Sequence, residues 1–326
     1  MPNNSTFETL HADGLISDES FEKIKEQNAN PLFSVHWEVK TLLYIGIVLL
    51  TSGLGIFVYK NIDTIGHQVI LAFIALISTG CFVYCFRHKK PFSRAKVQTE
   101  NAFFDYILLL GTITLVTFIG YLQYQYNVFG SNYGMATFIP MLLLFYIAYE
   151  FDHVGILNMA IVNLGLWVGV SVTPKQLLFA HTFNSETIIF TYLGFGLLLL
   201  LAAWLTQRFS FKKHFKFSYQ HYGVYASLTA LLAGYFFNYN SHFYIVWLLA
   251  LFAAAGLIFR DAYQHKSIYF ILLAVLYSYI GISGLVIRIF ILMPGGDWIY
   301  PIFIYFIWSA VLLIRYLIKL NKKLQA

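Results

Sequence analysis

Glu150, Asp152 and His153 bring two carboxylates and an imidazole together in one short stretch. Side chains of these types can hold a divalent cation. They can equally form a solvated turn between two helices. No H-E-x-x-H motif and no second nearby histidine strengthens the metal reading, so no metal ligand and no catalytic residue is assigned. Convergence of this hairpin with His88, His214 or His265 would revive an enzyme acting at that face. Asn163 is the best-placed polar residue in the middle of an apolar run, with Asn158 five residues earlier on another part of the helix. An amide there can bond a neighbouring helix or a ligand. Gly165 and Gly169 form G-x-x-x-G on the same segment, which permits close backbone approach and makes the helix interior. Arg288 and Asp297 flank a Met293-Pro294-Gly295-Gly296 turn. Arg288 can snorkel to the interface, or it can meet an anionic headgroup or substrate arriving from outside. Asn163, Arg288, Asp297, Glu150, Asp152 and His153 are therefore the binding candidates.

Other chemistry lacks a signature. Cys81 and Cys85 share one helix face, but two thiols alone make a poor metal site and read as small buried residues. There is no G-x-x-x-x-G-K-[ST] loop and no G-x-S-x-G elbow. No cofactor is called for.

The elements that must position these residues are membrane helices. The chain has 326 residues, 59% apolar, 19% aromatic and 11% charged. A soluble domain carries about 25% charged residues. Apolar runs of span length recur along the chain. Ten segments are expected to cross: 41–59, 67–86, 103–122, 134–151, 154–173, 187–206, 218–238, 242–259, 268–290 and 298–317. No ionisable side chain lies near the centre of any of them. Intramembrane charges usually mark ion paths and proton relays, so a carboxylate-driven antiporter is disfavoured. Neutral, amphipathic or lipid-like cargo remains open.

The net charge of +6 comes from short basic loops rather than from a nucleic-acid reader. With a cytoplasmic N-terminus, almost every base falls inside. The inner loops then hold Arg87 to Lys96, Arg208 to Lys216, and Arg260 with Lys266, and only Lys60, Lys175 and Arg288 fall outside. The positive-inside rule thus predicts both termini in the cytoplasm of a bacterial inner-membrane protein. Tyr121, Tyr124, Tyr126, Tyr239, Trp298 and Tyr300 sit at predicted outer ends as interface anchors.

Residues 1–40 form a polar cytoplasmic segment, followed by a bundle over 41–317 and a basic tail over 318–326. Within 5–27 the sequence predicts a helical hairpin. Ser5-Thr6-Phe7-Glu8 is a capping box, Gly14 suits a left-handed stop, and Ser17 caps a second helix that Pro31 ends. Ile16 and Phe21 have staple spacing. Its apolar face is too thin for a free-standing core. The hairpin must dock on the bilayer, the loops, a second copy or a protein partner. Residues 67–173 and 187–290 read as a parallel repeat. Its markers are Gly120-Tyr121 against Gly234-Tyr235, and Glu150, Asp152 and His153 against Arg260, Asp261 and His265.

The Gly14-Leu15-Ile16-Ser17 hairpin, Trp37, and a first span with Gly46, Gly53 and Gly55 resemble a bacterial family of predicted multi-pass membrane proteins of unknown function. The likeness is clearest over residues 10–86. It implies an all-α bundle of about ten spans and assigns no functional residue. Three functions follow as expectations: a permease for neutral, amphipathic or lipid-like molecules; a sensor or scaffold whose N-terminal hairpin binds a partner; and a membrane-embedded enzyme.

Overall fold

The computed structural model describes residues 11–29, 36–60, 66–97, 102–130, 133–172, 186–292 and 298–325. Eleven α-helices and no strand occur among them. The Ser5–Glu8 capping box, Pro31, Lys175 and Asp297 lie outside the described residues.

The chain divides into two compact units, Met1–Asn61 and Ile62–Ala326. The first holds α1 (Asp18–Ala29) and α2 (His36–Lys60). Gly14 takes φ +71° and its N–H donates to the His11 carbonyl at 3.0 Å. That is the left-handed stop glycine adopts without a Cβ penalty. Ser17 heads α1, with its Oγ 3.4 Å from the Ser20 N–H. A contact across this turn closes the unit. His11 stacks on Phe21 with ring centres 4.2 Å apart, and its Nε2 lies 2.7 Å from Asp18 Oδ1. The apolar α2 exposes Leu42 and Leu49, as a lipid-facing span does.

The second unit is a succession of helices. They are α3 (His67–His88), α4 (Ala102–Tyr126), α5 (Tyr133–Glu150), α6 (Val154–Val172), α7 (Glu186–Arg208), α8 (Lys216–Phe237), α9 (Tyr244–Gln264), α10 (Ile268–Leu292) and α11 (Ile299–Gln325). A single 3-10 turn, Lys213–Phe215, precedes α8. The closest neighbours are α3 with α4, α5 with α6, α7 with α8, and α9 with α10. Helix α6 also packs on α7 and α8.

A helix occupies nearly all of the described part of each of the ten segments expected to span. Among the described residues, eight helices are long and apolar enough to cross a membrane. The two that fall short have different reasons. Helix α5 is short, with 18 residues and Pro140 inside it. Helix α8 has the length but carries Ser218, Gln220, His221, Ser227 and Thr229. It is also the most enclosed helix, burying residues from Ser218 to Tyr235 along its whole length. Polar groups that find partners on neighbouring helices burden a span less than polar groups facing lipid.

Small residues set the tightest crossings. A Cβ placed on Gly196 would lie 2.3 Å from Ser227 Oγ and 2.7 Å from the Ser227 backbone nitrogen. One on Gly223 would lie 3.0 Å from the Leu200 nitrogen. Helices α7 and α8 therefore meet backbone to backbone. Gly165 and Gly169 of α6 receive Phe195 and Tyr192 of α7, and the Tyr192 hydroxyl donates to the Gly165 carbonyl at 3.3 Å. The two Gly-Tyr pairs meet different neighbours. Tyr121 bonds His67 of α3 at 2.7 Å, whereas Tyr235 packs on Gly284 of α10.

Three helix ends close in the same way. Asp152, Ser210 and Lys266 take φ of 58°, 53° and 53° after α5, α7 and α9. The next N–H in each case reaches back five residues: His153 to Ala148, Phe211 to Thr206 and Ser267 to Ala262. This is the Schellman closure, with a non-glycine residue at its left-handed position.

Candidate functional site

The Schellman geometry at Asp152 turns its carboxylate inward beneath two loops. Oδ2 accepts from the Val97 N–H at 2.6 Å. Oδ1 accepts from Lys212 Nζ at 3.0 Å and from His214 Nε2 at 2.6 Å. The Asp152 side chain is 3% exposed and that of Lys212 1%. Lys212 is presented by a left-handed backbone, φ +49°, whose N–H donates to the Arg94 carbonyl at 2.9 Å. Its ammonium also lies 4.9 Å from the Phe92 ring centre. One carboxylate thus ties residues 94–97, the 151–153 turn and the 212–214 segment together.

The other two members of the predicted cluster point elsewhere. Glu150 pairs with Lys89. His153 Nδ1 accepts from the Ile156 N–H at 3.2 Å and heads α6. The three side chains diverge. Among the described residues no group of three or more His, Cys, Asp or Glu side chains is placed to hold a metal ion. The convergence that would revive an enzyme does occur, at His214. Its chemistry is limited, because a carboxylate offers about four lone-pair positions and three donors already take up most of those of Asp152.

Above the pair lies a cavity of about 230 Å³. Its lining combines charge and aromatic surface: His88, Lys89, Lys90, Lys212, Glu150 and Asp152 with Tyr84, Phe92, Phe104 and Phe151. Phe151 is held by Phe86 at 5.0 Å and Phe104 at 6.1 Å. Beside it in the chain, Tyr149 stacks on Phe211 at 5.7 Å, with its hydroxyl 2.9 Å from that of Tyr219.

Two further hollows are less polar. One of about 580 Å³ runs between α9, α10 and α11, past Tyr279 and Ser309. One of about 420 Å³ lies between α7, α8 and α9, past Glu186 and Trp247. Asn163 lines none of these three cavities. Its Oδ1 is buried without a hydrogen-bond partner, as is that of Asn158. Arg288 stands elsewhere, against Tyr239 and Tyr244.

The comparisons with known proteins bear on part of this chain. Residues 8–157 match the family model described as predicted membrane protein, DUF2157. No curated protein matches, and no solved structure matches. The DUF2157 match includes Lys89, Glu150 and Asp152, while Lys212, His214 and Arg288 lie beyond it. Match and helices agree on a multi-pass membrane protein.

In the sequence, Lys212 reads as loop charge and His214 as a conditional partner of the acidic hairpin. Nothing local distinguishes Lys212 from Lys213, which is exposed. The signal that could have found it is the unpaired acidic turn at Asp152, which needed a cation from another loop once buried.

Proposed function

We propose that this chain is an integral membrane protein that binds an amphipathic or lipid-like molecule by its polar group, in the cavity above Asp152 and Lys212. The observation that carries this reading is the lining itself, with lysines, a histidine and paired carboxylates beside four aromatic side chains. A hollow of about 230 Å³ is smaller than the roughly 300–1,000 Å³ of drug-sized sites. It suits a headgroup whose tail stays outside. The buried pair fixes the floor, so the lysines above it are held without closing the hollow.

A permease is the leading role. The cargo is amphipathic because no ionisable residue marks a path through the middle of a span. Basic loops at this end support a cytoplasmic position for the cavity by the positive-inside rule. A sensor or scaffold is the second reading. It is favoured by the separate Met1–Asn61 unit, with its own His11–Phe21–Asp18 closure and the exposed Leu15.

The test places a reporter in the cavity wall. Phe92→Trp keeps an aromatic face beneath Lys212, and lysophosphatidic acid supplies an anionic headgroup on one tail. Saturable change in the Phe92→Trp emission is expected, and added His88→Ala and Lys90→Ala substitutions weaken it about tenfold, as loss of charged hydrogen bonds does. No saturable change overturns the reading. Binding without movement of the probe across a vesicle membrane selects the sensor over the permease.

A further inference from the structure

Arg288 sits at the end of the bundle remote from the Asp152 cavity. Helix α10 begins at Ile268, beside the Lys266 turn, and Arg288 follows about 30 Å along it at 1.5 Å per residue. Helices α9 and α10 run antiparallel, with Leu248 and Leu251 against Gly281. That register brings Tyr244, at the start of α9, over Arg288.

The guanidinium carbon is 3.9 Å from the Tyr244 ring centre and 5.0 Å from that of Tyr239. Tyr239 is held in turn, its hydroxyl donating to the Gly284 carbonyl at 3.1 Å. Tyr235 completes the group. It is fully buried, with its ring centre 5.9 Å from Tyr239 and 6.3 Å from Tyr244. Gly284 makes room for it, since a Cβ there would come within 2.9 Å of the Tyr235 ring.

Two donors in this cage have no acceptor. Arg288 Nη1 and the Tyr235 hydroxyl are both buried, and neither has a hydrogen-bond partner. Among the described residues no carboxylate pairs with Arg288. Buried polar groups are nearly always satisfied, and an unmet donor on a cation is among the costliest exceptions. Stacking on tyrosine holds the guanidinium plane but supplies no lone pair to its N–H groups. What is missing is an acceptor with negative charge. A planar guanidinium fork with a hydroxyl nearby matches an oxyanion, which can accept several hydrogen bonds at once.

We propose that Arg288, Tyr235, Tyr239 and Tyr244 form a binding site for an oxyanion, the phosphate or carboxylate of a membrane amphiphile or of a free solute. The tyrosine rings orient the guanidinium, and the Tyr235 hydroxyl adds a neutral donor. This site is independent of the cavity above Asp152, and either can fail alone.

The test uses the full chain purified in dodecyl maltoside, with the thermal unfolding midpoint as readout. The probes are dioctanoyl phosphatidylglycerol and inorganic phosphate, each against sodium chloride of equal ionic strength. Either probe is expected to raise the midpoint of the unsubstituted protein. Arg288→Gln should weaken the apparent affinity at least about tenfold and Tyr235→Phe about fivefold, the sizes of a charged and a neutral hydrogen bond. A response to the lipid alone identifies a membrane amphiphile as the source, and a response to phosphate identifies a free solute. If Arg288→Gln does not fold, Tyr235→Phe decides, since it removes only one oxygen. No response to either probe, or equal responses from the unsubstituted protein and Tyr235→Phe, would overturn the proposal.

Discussion

A buried charge is tolerated only when its partners are in place, and Asp152 has three. Removing Lys212 alone leaves a carboxylate in a site that is 3% exposed. Breaking a buried ion pair from one side costs about 3–5 kcal/mol. Lys212→Met is therefore expected to lower the unfolding midpoint sharply, while Asp152→Asn with Lys212→Met recovers much of the loss. A thermal double-mutant cycle in detergent checks this, and strictly additive effects would sink it. The acidic half of the pair was legible, because two carboxylates and a histidine stood together in a turn. Its partner was not. Lys212 and Asp152 are far apart in sequence, and the left-handed backbone that aims the lysine inward has no glycine to announce it. Arg288 was legible as an exceptional outer base, but Tyr239 read only as an interface anchor, Tyr235 only as a repeat marker, and nothing in the sequence singled out Tyr244.

The helices themselves follow from apolar run length, and their starts and stops from charged or glycine-bearing junctions. Hydropathy counts apolar residues without saying which neighbours they meet. That is why α8 could be placed as a segment but not as the most enclosed helix. Ser218 and Ser227 are buried, Gln220, His221 and Thr229 bond Asp261, Tyr269 and Tyr277 of neighbouring helices, and such contacts are tertiary. The closest crossing, α7 on α8, depends on Gly196 and Gly223, where an added Cβ would come within 2.3–3.0 Å of the facing helix. Gly196→Ala or Gly223→Ala must push the two backbones apart. Overpacking of this kind costs about 1–3 kcal/mol, and both contacts include backbone that cannot rotate away. Each substitution is expected to lower the unfolding midpoint, whereas Gly194→Ala, with open space around it, leaves it unchanged. Equal midpoints for all three would remove this account of the crossing.

For the whole molecule, sidedness decides which compartment each site meets. Basic loops, the Asp152 cavity and the Lys266 turn share one end of the Ile62–Ala326 unit, and Arg288 stands near the other. By the positive-inside rule the first end is expected to be cytoplasmic. In a chain with Cys81 and Cys85 replaced by serine, Asn240→Cys should react with an impermeant maleimide added to intact cells. Lys266→Cys should react only after the cells are opened. The reverse pattern would invert the topology and move the cavity to the outer face.

The enclosure of α8 also bears on how the protein is made. A translocating chain is sorted into lipid by the apolarity of each passing segment. Helix α8 falls below the apolarity that marks the eight span-length helices. It gains shelter from α6 and α7 before it and from α9 and α10 after it. Its entry into the bilayer is therefore a collective event, in which neighbours synthesised on both sides hold a segment that lipid alone would reject.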